Sequence, residues 1–494
     1  MSGGAYLAGS GCFRRRLAHA LYAAVAGAVT ASCAVGPDYH RPAVDSAPGF
    51  KETGDWKPSE PNDAMSRGTW WKIFNDADLD QLEVQIDITN QNVKAAEASF
   101  EQARALVAQA RAGFWPTIAA SFSAQRGQQG VPAATNNGAS LPSTSLTGAR
   151  TTYAAGATGN WDLDIWGQIR RTVESDRASA QASSAALAAA RLSAQAELAT
   201  DYFELRAQDQ LQRLLDDTVV AETLSLKITQ SRYKFGVAAR ADVVSAETQL
   251  LASQAQQVNA KIQRQILEHA VAVLVGKQPA EFSLPPAAMR SDVPTVPPGV
   301  PSTLLERRPD VAQAERRMAA ANAQIGVATA AYFPSLTLSA SDEYSSGSLS
   351  RLIRNSNRVW AVGPALAETL FDGGVRRAQV AQARAAYYGT VATYRQTVLT
   401  GFQQVEDDIV TLRVLEQQSA IENDTVKAAR EAEALTLNQY KAGTVPYSSV
   451  ITAQTTRLSA EETALSVLSS RLQASVALVE ALGGGWNSSM DAVK

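Results

Sequence analysis

Cysteine and histidine are scarce in this chain. Its 494 residues include two cysteines and three histidines. Two cysteines cannot build a disulfide framework or a four-ligand zinc site. His19, His40 and His269 are scattered, which argues against a His-based metal site. Charge is also low, at 19% of residues against a typical ~25%. The 45 basic and 48 acidic residues leave a net charge of −3, so no strongly basic face for nucleic acid is implied. No phosphate-cradling glycine loop or nucleophile motif appears. Neither an enzyme nor a bound cofactor is therefore expected. Length alone, at roughly 100–200 residues per domain, would suggest about three soluble domains.

The first residues read as an address. Arg14, Arg15 and Arg16 precede a small-residue and apolar stretch, Leu17 to Ala31, too short to span a bilayer. Ala31-Ser32-Cys33 then matches a lipoprotein cleavage site, although Thr30 stands where Leu is preferred. Cys33 is the expected lipid-bearing N-terminus. An ordinary secretory signal with a coincidental cysteine is the alternative. Removal of the signal takes away three arginines and no acid, moving the net charge from −3 to −6. A single lipid group anchors weakly, so a second membrane interaction is expected.

Proline is absent between Pro142 and Pro279, and again between Pro364 and Pro446. These stretches are rich in Ala, Gln, Leu, Glu and Arg, all strong helix formers. From about 167 to 235 nothing breaks the helix, which at ~1.5 Å per residue is about 100 Å. Val391, Tyr394, Val398, Phe402, Val405, Ile409 and Leu412 form a heptad-like seam, and Leu198, Tyr202 and Leu205 begin another.

The chain also repeats. Phe114-Trp115-Pro116-Thr117-Ile118 resembles Tyr332-Phe333-Pro334-Ser335-Leu336. Ile165 to Arg171 resembles Phe371 to Arg377, and Tyr233-Lys234-Phe235-Gly236-Val237 resembles Tyr440-Lys441-Ala442-Gly443-Thr444. The expected organisation is a signal peptide at 1–32 and a lipid-anchored extended segment at 33–69. A first repeat follows at 70–278 with a β-hairpin at about 117–166, then a Pro-rich connector at 279–301. A second repeat occupies 302–486, with a hairpin at about 335–371, and a tail occupies 487–494.

Each hairpin alternates apolar and polar residues. Ile118, Ala120, Phe122 and Ala124 interleave with Thr117, Ser121, Ser123 and Gln125; Leu336, Leu338 and Ala340 interleave with serines and Thr337. The return strand around Asn357 to Leu370 alternates less cleanly. Two-faced strands of ~9–11 residues suit a transmembrane β-barrel. Four strands cannot close a barrel, since about eight is the lower limit, and an open edge in lipid is costly. The chain is therefore expected to pool strands with copies of itself, three chains giving twelve. A soluble coiled coil with two polar hairpins is the alternative. Asp162 and Asp164, two apart on one strand, would share a face at the lumen or its junction with the helices. Trp115 and Phe333 are expected to pack where strands meet helices; Phe114, Trp161, Tyr332 and Trp360 are candidate interfacial anchors.

Several segments carry a resemblance. Cys33-Ala34-Val35-Gly36-Pro37-Asp38-Tyr39-His40-Arg41-Pro42, Trp70-Trp71-Lys72-Ile73-Phe74-Asn75-Asp76, Leu305-Glu306-Arg307-Arg308-Pro309-Asp310-Val311 and Leu482-Gly483-Gly484-Gly485-Trp486 resemble motifs of the TolC-like outer membrane factors. The match is to the lipoprotein branch serving RND-type drug and metal efflux, and it covers about 33–486. The resemblance implies a mainly helical fold with a membrane β-barrel part: a homotrimer with a 12-stranded barrel and a 12-helix periplasmic barrel. It implies a passive exit duct in the outer membrane of a Gram-negative bacterium. A periplasmic membrane-fusion adaptor and an inner-membrane RND-type pump are the implied partners. The resemblance places a periplasmic gate at Tyr440 and Asp242, with Arg240 and Thr452 beside them, and adaptor docking on Phe235, Gly236, Val237, Ala442, Gly443 and Thr444. The second tip departs from the family pattern at Val445, Ser449 and Thr452, which reduces its charge. Arg240 and Asp242 could equally be exposed tip charges of little energetic weight. The same architecture serving type I protein secretion, or a lipid-anchored coiled coil without a pore, are the competing functions.

Overall fold

The computed structural model describes residues 34–43, 49–51, 69–127, 149–296 and 307–484. Cys33 and the signal peptide, nearly all of the loop after Gly127, residues 297–306 of the connector region and the Gly485-Trp486 ending lie outside them. The elements are helices Ala77–Thr89 (α1) and Gln91–Ala112 (α2), strands Thr117–Gly127 (β1) and Arg150–Leu163 (β2), and helices Gln168–Lys234 (α3), Arg240–Leu274 (α4) and Pro309–Ala330 (α5). Strands Ser335–Ser346 (β3) and Arg358–Ala367 (β4) follow, then helices Val375–Ala442 (α6) and Tyr447–Ala481 (α7). Within the long proline-free stretches run single helices of 67 and 68 residues, α3 and α6. Among the described residues, no helix is long and apolar enough to cross a membrane.

The chain falls into two compact units, and neither coincides with a repeat. One comprises the described parts of Met1–Arg41, Ala103–Ala180 and Arg317–Thr390; the other those of Pro42–Gln102, Gln181–Arg316 and Val391–Lys494.

The first unit holds one antiparallel sheet in the order β1-β2-β3-β4. Its register aligns the two-residue periods of all four strands. Ile118, Phe122, Tyr153, Trp161, Leu338 and Val362 share one face; Ser121, Thr158, Asp162, Thr337 and Ser341 share the other. The face of β4 opposite Trp360, Val362 and Leu366 carries Ala361, Gly363 and Ala365 in place of polar side chains, which explains its blurred alternation. Within the chain the apolar face is bare: Ile118 is 79% exposed. So broad a bare apolar face suits lipid, not water.

Asp164 is not a face-mate of Asp162. Strand β2 ends at Leu163, and Asp164 instead accepts from the N–H groups of Ile169 and Arg170 and pairs with the Arg170 guanidinium at 3.1 Å. It caps α3, where helix-end N–H groups need an acceptor. Asp162 accepts from the Thr337 hydroxyl at 3.0 Å on the polar face. In the second repeat the arginine equivalent to Arg170 is Arg376, and Asp372 pairs with it at 2.7 Å. Arg376 together with the N–H groups of Gly374 and Arg376 holds the Asp372 carboxyl down to about 2. Trp115 does not pack within the chain; it is 73% exposed. Phe333 does pack, stacking on Trp166 with centroids 4.8 Å apart. Among the described residues no ring stacks on Trp115, whereas Trp166, against Phe333, is pinned by its indole N–H to the Pro334 carbonyl at 2.8 Å.

The segment following Cys33 is held in the same unit. The Val35 N–H donates to the Trp166 carbonyl at 3.1 Å. The buried Arg171 donates to the Val35 and Gly36 carbonyls and pairs with Asp38 at 2.8 Å. Gly36 (φ +101°) lies so close to Gly326 that a Cβ on it would sit 2.4 Å from the Gly326 Cα, so position 36 requires glycine, and a Cβ on Gly326 would press on the Arg171 side chain, 2.8 Å from its Cγ.

The second unit buries both seams. Leu198, Tyr202, Leu205, Val405 and Ile409 join one core with Trp70, Phe74, Leu79 and Ile86. Polar latches tie loops onto it. Arg206, itself buried, pairs with Asp209 and Asp78 and donates to the Pro285 carbonyl, fixing the Pro-rich connector. Arg308 grips Asp310 with two bonds of 3.0 and 2.7 Å, Gln404 at 2.8 Å and the Ala481 carbonyl at the end of α7 at 2.9 Å. A Cβ on Gly483 (φ +89°) would lie 2.3 Å from the Arg307 carbonyl oxygen. The Arg307–Asp310 motif and the C-terminal glycines therefore meet in space.

Beside this latch, burial first, then Asp407 and Glu480, push the Asp408 carboxyl up to about 7, against the pull of Arg308. A carboxyl raised in the folded state binds its proton more tightly there, so its contribution to stability is full below about pH 4 and is lost as pH rises toward 7. Asp408→Asn is expected to flatten this pH dependence: its Tm should exceed that of the wild type at pH 8 and match it near pH 4.5, read by circular dichroism. A wild-type Tm that does not fall between those values would contradict the assignment.

Candidate gate and docking surface

All the tip residues singled out in the sequence lie in the second unit, at the α3–α4 and α6–α7 turns. The two turns are built alike. Gly236 (φ +76°) and Gly443 (φ +83°) take the left-handed conformation. The Val237 N–H bonds the Arg232 carbonyl and the Gly236 N–H bonds that of Tyr233; Thr444 bonds Gln439 and Gly443 bonds Tyr440 in the same way. Each is a Schellman ending, which needs glycine at the left-handed position. Pro446 then caps the start of α7.

Their surfaces differ. The first turn exposes Tyr233, Phe235 and Val237, with Phe235 79% exposed. The second buries its aromatics: Tyr440 and Tyr447 meet edge to face at 5.1 Å and pack with Val450 and Ala246. Burial, then Glu222 and Tyr440, push the Tyr447 phenol up to about 12. The Tyr440 hydroxyl is buried without a hydrogen-bond partner among the described residues.

Arg240 and Asp242 both lie in the first turn of α4, Arg240 exposed and Asp242 half-buried. Two residues apart on a helix, they do not face each other, and among the described residues no ion pair joins them. Thr452 is exposed on α7 and its hydroxyl donates to the Ser448 carbonyl at 3.1 Å. Ala442 closes α6 and is exposed, as are Gly443 and Thr444. Cys33 lies outside the described residues. Among those described, no cluster of three His, Cys, Asp or Glu side chains could hold a metal ion.

Sequence reasoning missed the residue that joins the two turns. Arg232 lays its guanidinium over the Tyr440 ring at 4.8 Å and donates to the Lys441 carbonyl at 2.7 Å. Cation–π attraction and a charge-assisted hydrogen bond act together here. Its equivalent in the second repeat is Gln439, and a charge at one copy of a duplicated position was the available signal. Further along, Arg457 bridges Glu433 at 2.6 Å and Glu461 at 2.5 Å, tying α6 to α7.

A sheet with one lipid-fit and one polar face in the first unit, and paired helical hairpins in the second, are features of an outer-membrane duct. Comparison with known proteins agrees. The model of the outer membrane efflux protein family matches residues 84–277 and 300–484, and the chain belongs to that family. It is an outer-membrane exit duct of the tripartite efflux type. The probable efflux pump outer membrane protein TtgC of Pseudomonas putida is 28% identical over 468 residues, covering 94% of this chain and 95% of that one. The pyoverdine export outer membrane protein OpmQ of Pseudomonas aeruginosa is 30% identical over 437 residues, covering 86% and 89%. The solved outer-membrane channel OprN superposes with a TM-score of 0.84 at 29% identity, over 92% of this chain and all of that one.

Removing the bridge between the turns is expected to loosen the tip. Arg232→Gln should raise conductance severalfold in a planar lipid bilayer, with Asp242→Ala/Tyr440→Phe as the comparison. If neither variant departs from wild-type conductance, the constriction lies elsewhere.

Proposed function

We propose that the chain acts as a homotrimer whose three sheets close a 12-stranded barrel and whose long helices continue it as a 12-helix periplasmic tube. The observation that carries this reading is the four-stranded sheet with an apolar face across every strand and, among the described residues, no strand partner at either edge. In lipid, unpaired backbone groups cost several kcal/mol each, so the β1 edge of one copy must meet the β4 edge of the next. The tube conducts small molecules passively and catalyses no reaction.

In this reading a periplasmic membrane-fusion adaptor docks on Phe235, Gly236, Val237, Ala442, Gly443 and Thr444, and an inner-membrane RND-type pump supplies the energy. The exposed Phe235 and Val237 support docking on the first turn. Tyr440, Asp242, Arg240 and Thr452 line the closed end. Tyr440 would have to turn out of its packing against Tyr447 to bond another protomer, and its buried hydroxyl, without a partner among the described residues, gains a bond when it does so. Cys33 carries a covalent lipid, and no other cofactor is needed. Relatives named for toluene efflux, antibiotic efflux and pyoverdine export show the breadth of cargo in the family; the pump selects the cargo here.

The test is complementation in a strain that lacks its own duct but keeps an adaptor and pump. The wild-type chain should run as a heat-sensitive trimer on gels and lower the accumulation of a fluorescent pump substrate. Phe235→Asp should keep the trimer and lose export. Export by Phe235→Asp at the wild-type rate would remove the first turn from the docking surface, and a monomeric wild type would end the reading.

A further inference from the structure

The outer end of the sheet, away from the helices, carries charges that neither the barrel nor the duct explains. The connection between β3 and β4, Gly347 to Asn357, contains Arg351 and Arg354 and no acid, and Arg358 follows at once. It is a built loop. The Arg351 N–H donates to the Ser348 carbonyl, Leu352 to Leu349 and Asn357 to Arg354. The Asn357 side chain donates to the Arg351 carbonyl at 2.7 Å, and Leu352 is buried beneath.

The register supplies a depth scale. On the apolar face Asp342 lies opposite Trp360, one row beyond the Ala340–Val362 pair, and Arg358 lies opposite Tyr344 in the next row; the two bond each other twice at 2.8 Å. A charge pair on a lipid-facing surface belongs at the hydrocarbon boundary, where charged side chains cost little. Beyond that row Arg351 and Arg354 are exposed, with no carboxylate partner among the described residues. Leu349 and Ile353 stand exposed beside them, Ile353 at 81%. Arg126, at the outer end of β1, shares the apolar face with Ile118 and Phe122.

Paired aliphatic and guanidinium groups at this depth match one kind of amphiphile. It carries acyl chains below the boundary and phosphates just above it. We propose that the β3–β4 loop binds the phosphorylated glycolipid of the outer leaflet, with Arg351 and Arg354 gripping its sugar phosphates and Leu349 and Ile353 lying along its acyl chains. Guanidinium forks bind phosphate oxygens in bidentate fashion. The Asp342–Arg358 pair keeps Arg358 out of this role and marks the depth. The inference rests on the membrane reading of the sheet.

The experiment uses the purified full-length protein in detergent and in vesicles. Retention of bis-phosphorylated lipid A is compared with that of the same lipid stripped of phosphate, for wild type, Arg351→Gln/Arg354→Gln, Ile353→Ser and, as a charge control, Arg384→Gln. Dephosphorylation and the double variant should each lower retention on the order of tenfold, the scale of losing one or two such contacts. Ile353→Ser should lower it less, and Arg384→Gln should leave it unchanged. Millimolar inorganic phosphate should not displace the lipid. Equal retention of both lipids by the wild type, or complete displacement by inorganic phosphate, would overturn the proposal. The lipid comparison on wild-type protein stands even if the double variant misfolds. Failure of the wild type to insert into vesicles would instead fault the membrane reading.

Discussion

The structure turns on the need of every backbone N–H and C=O in hydrocarbon for a partner. Inside the sheet the three antiparallel ladders meet it, residue by residue. At the outer edges of β1 and β4 no strand among the described residues does so, and no side chain can substitute for one. Much else follows from that deficit. The fold cannot be finished by one chain, so the strands' faces must be uniform enough to continue around a ring. The helices, in turn, can be long because their interior seams are filled by neighbours: Tyr394, Val398, Val405 and Ile409 are buried at heptad spacing.

The duplicated architecture is not held by duplicated contacts. Arg170 and Arg376 occupy matching places, yet one is paired by an acid six residues before it and the other by an acid four residues before it. The tip turns share a backbone and differ in which side chains they hide. Arg308, Arg206 and Arg457 each draw together segments distant in sequence, largely through carbonyls and carboxylates away from solvent. Removing one partner of such a group leaves a buried charge without its mate, which is costlier than the pair is worth. The most family-specific motifs, around Arg308 and Gly483, therefore look like closure of the chain upon itself and not like ligand sites.

Much of the fold was legible because periodicity is local. The proline-free stretches contain α3 and α6 whole, and Gly236 and Gly443 marked the turns that end them because only a residue without Cβ takes the left-handed geometry cheaply. Ile118 and Phe122 announced the apolar face through the two-residue period. What was not legible depends on partners far away in sequence. Nothing near Arg232 shows that it lies over Tyr440. Asp164 differs from Asp162 only in standing one residue past the last ladder pair. Trp115 and Phe333 both read as packing residues because each precedes a proline, Pro116 and Pro334, but only Phe333 has Trp166 beside it. The tip residues were named by resemblance; spacing alone shows no reason to prefer Tyr440 to Tyr233.

The fastening of Val35 to the Trp166 carbonyl has a geometric consequence. With the Arg171 bonds to the Val35 and Gly36 carbonyls and to Asp38, it lashes the extended stretch from Val35 to Asp38 across the start of α3. A pull on the chain at Val35 would load the end of β2 at once, as a guy rope loads its peg, with no slack to take up.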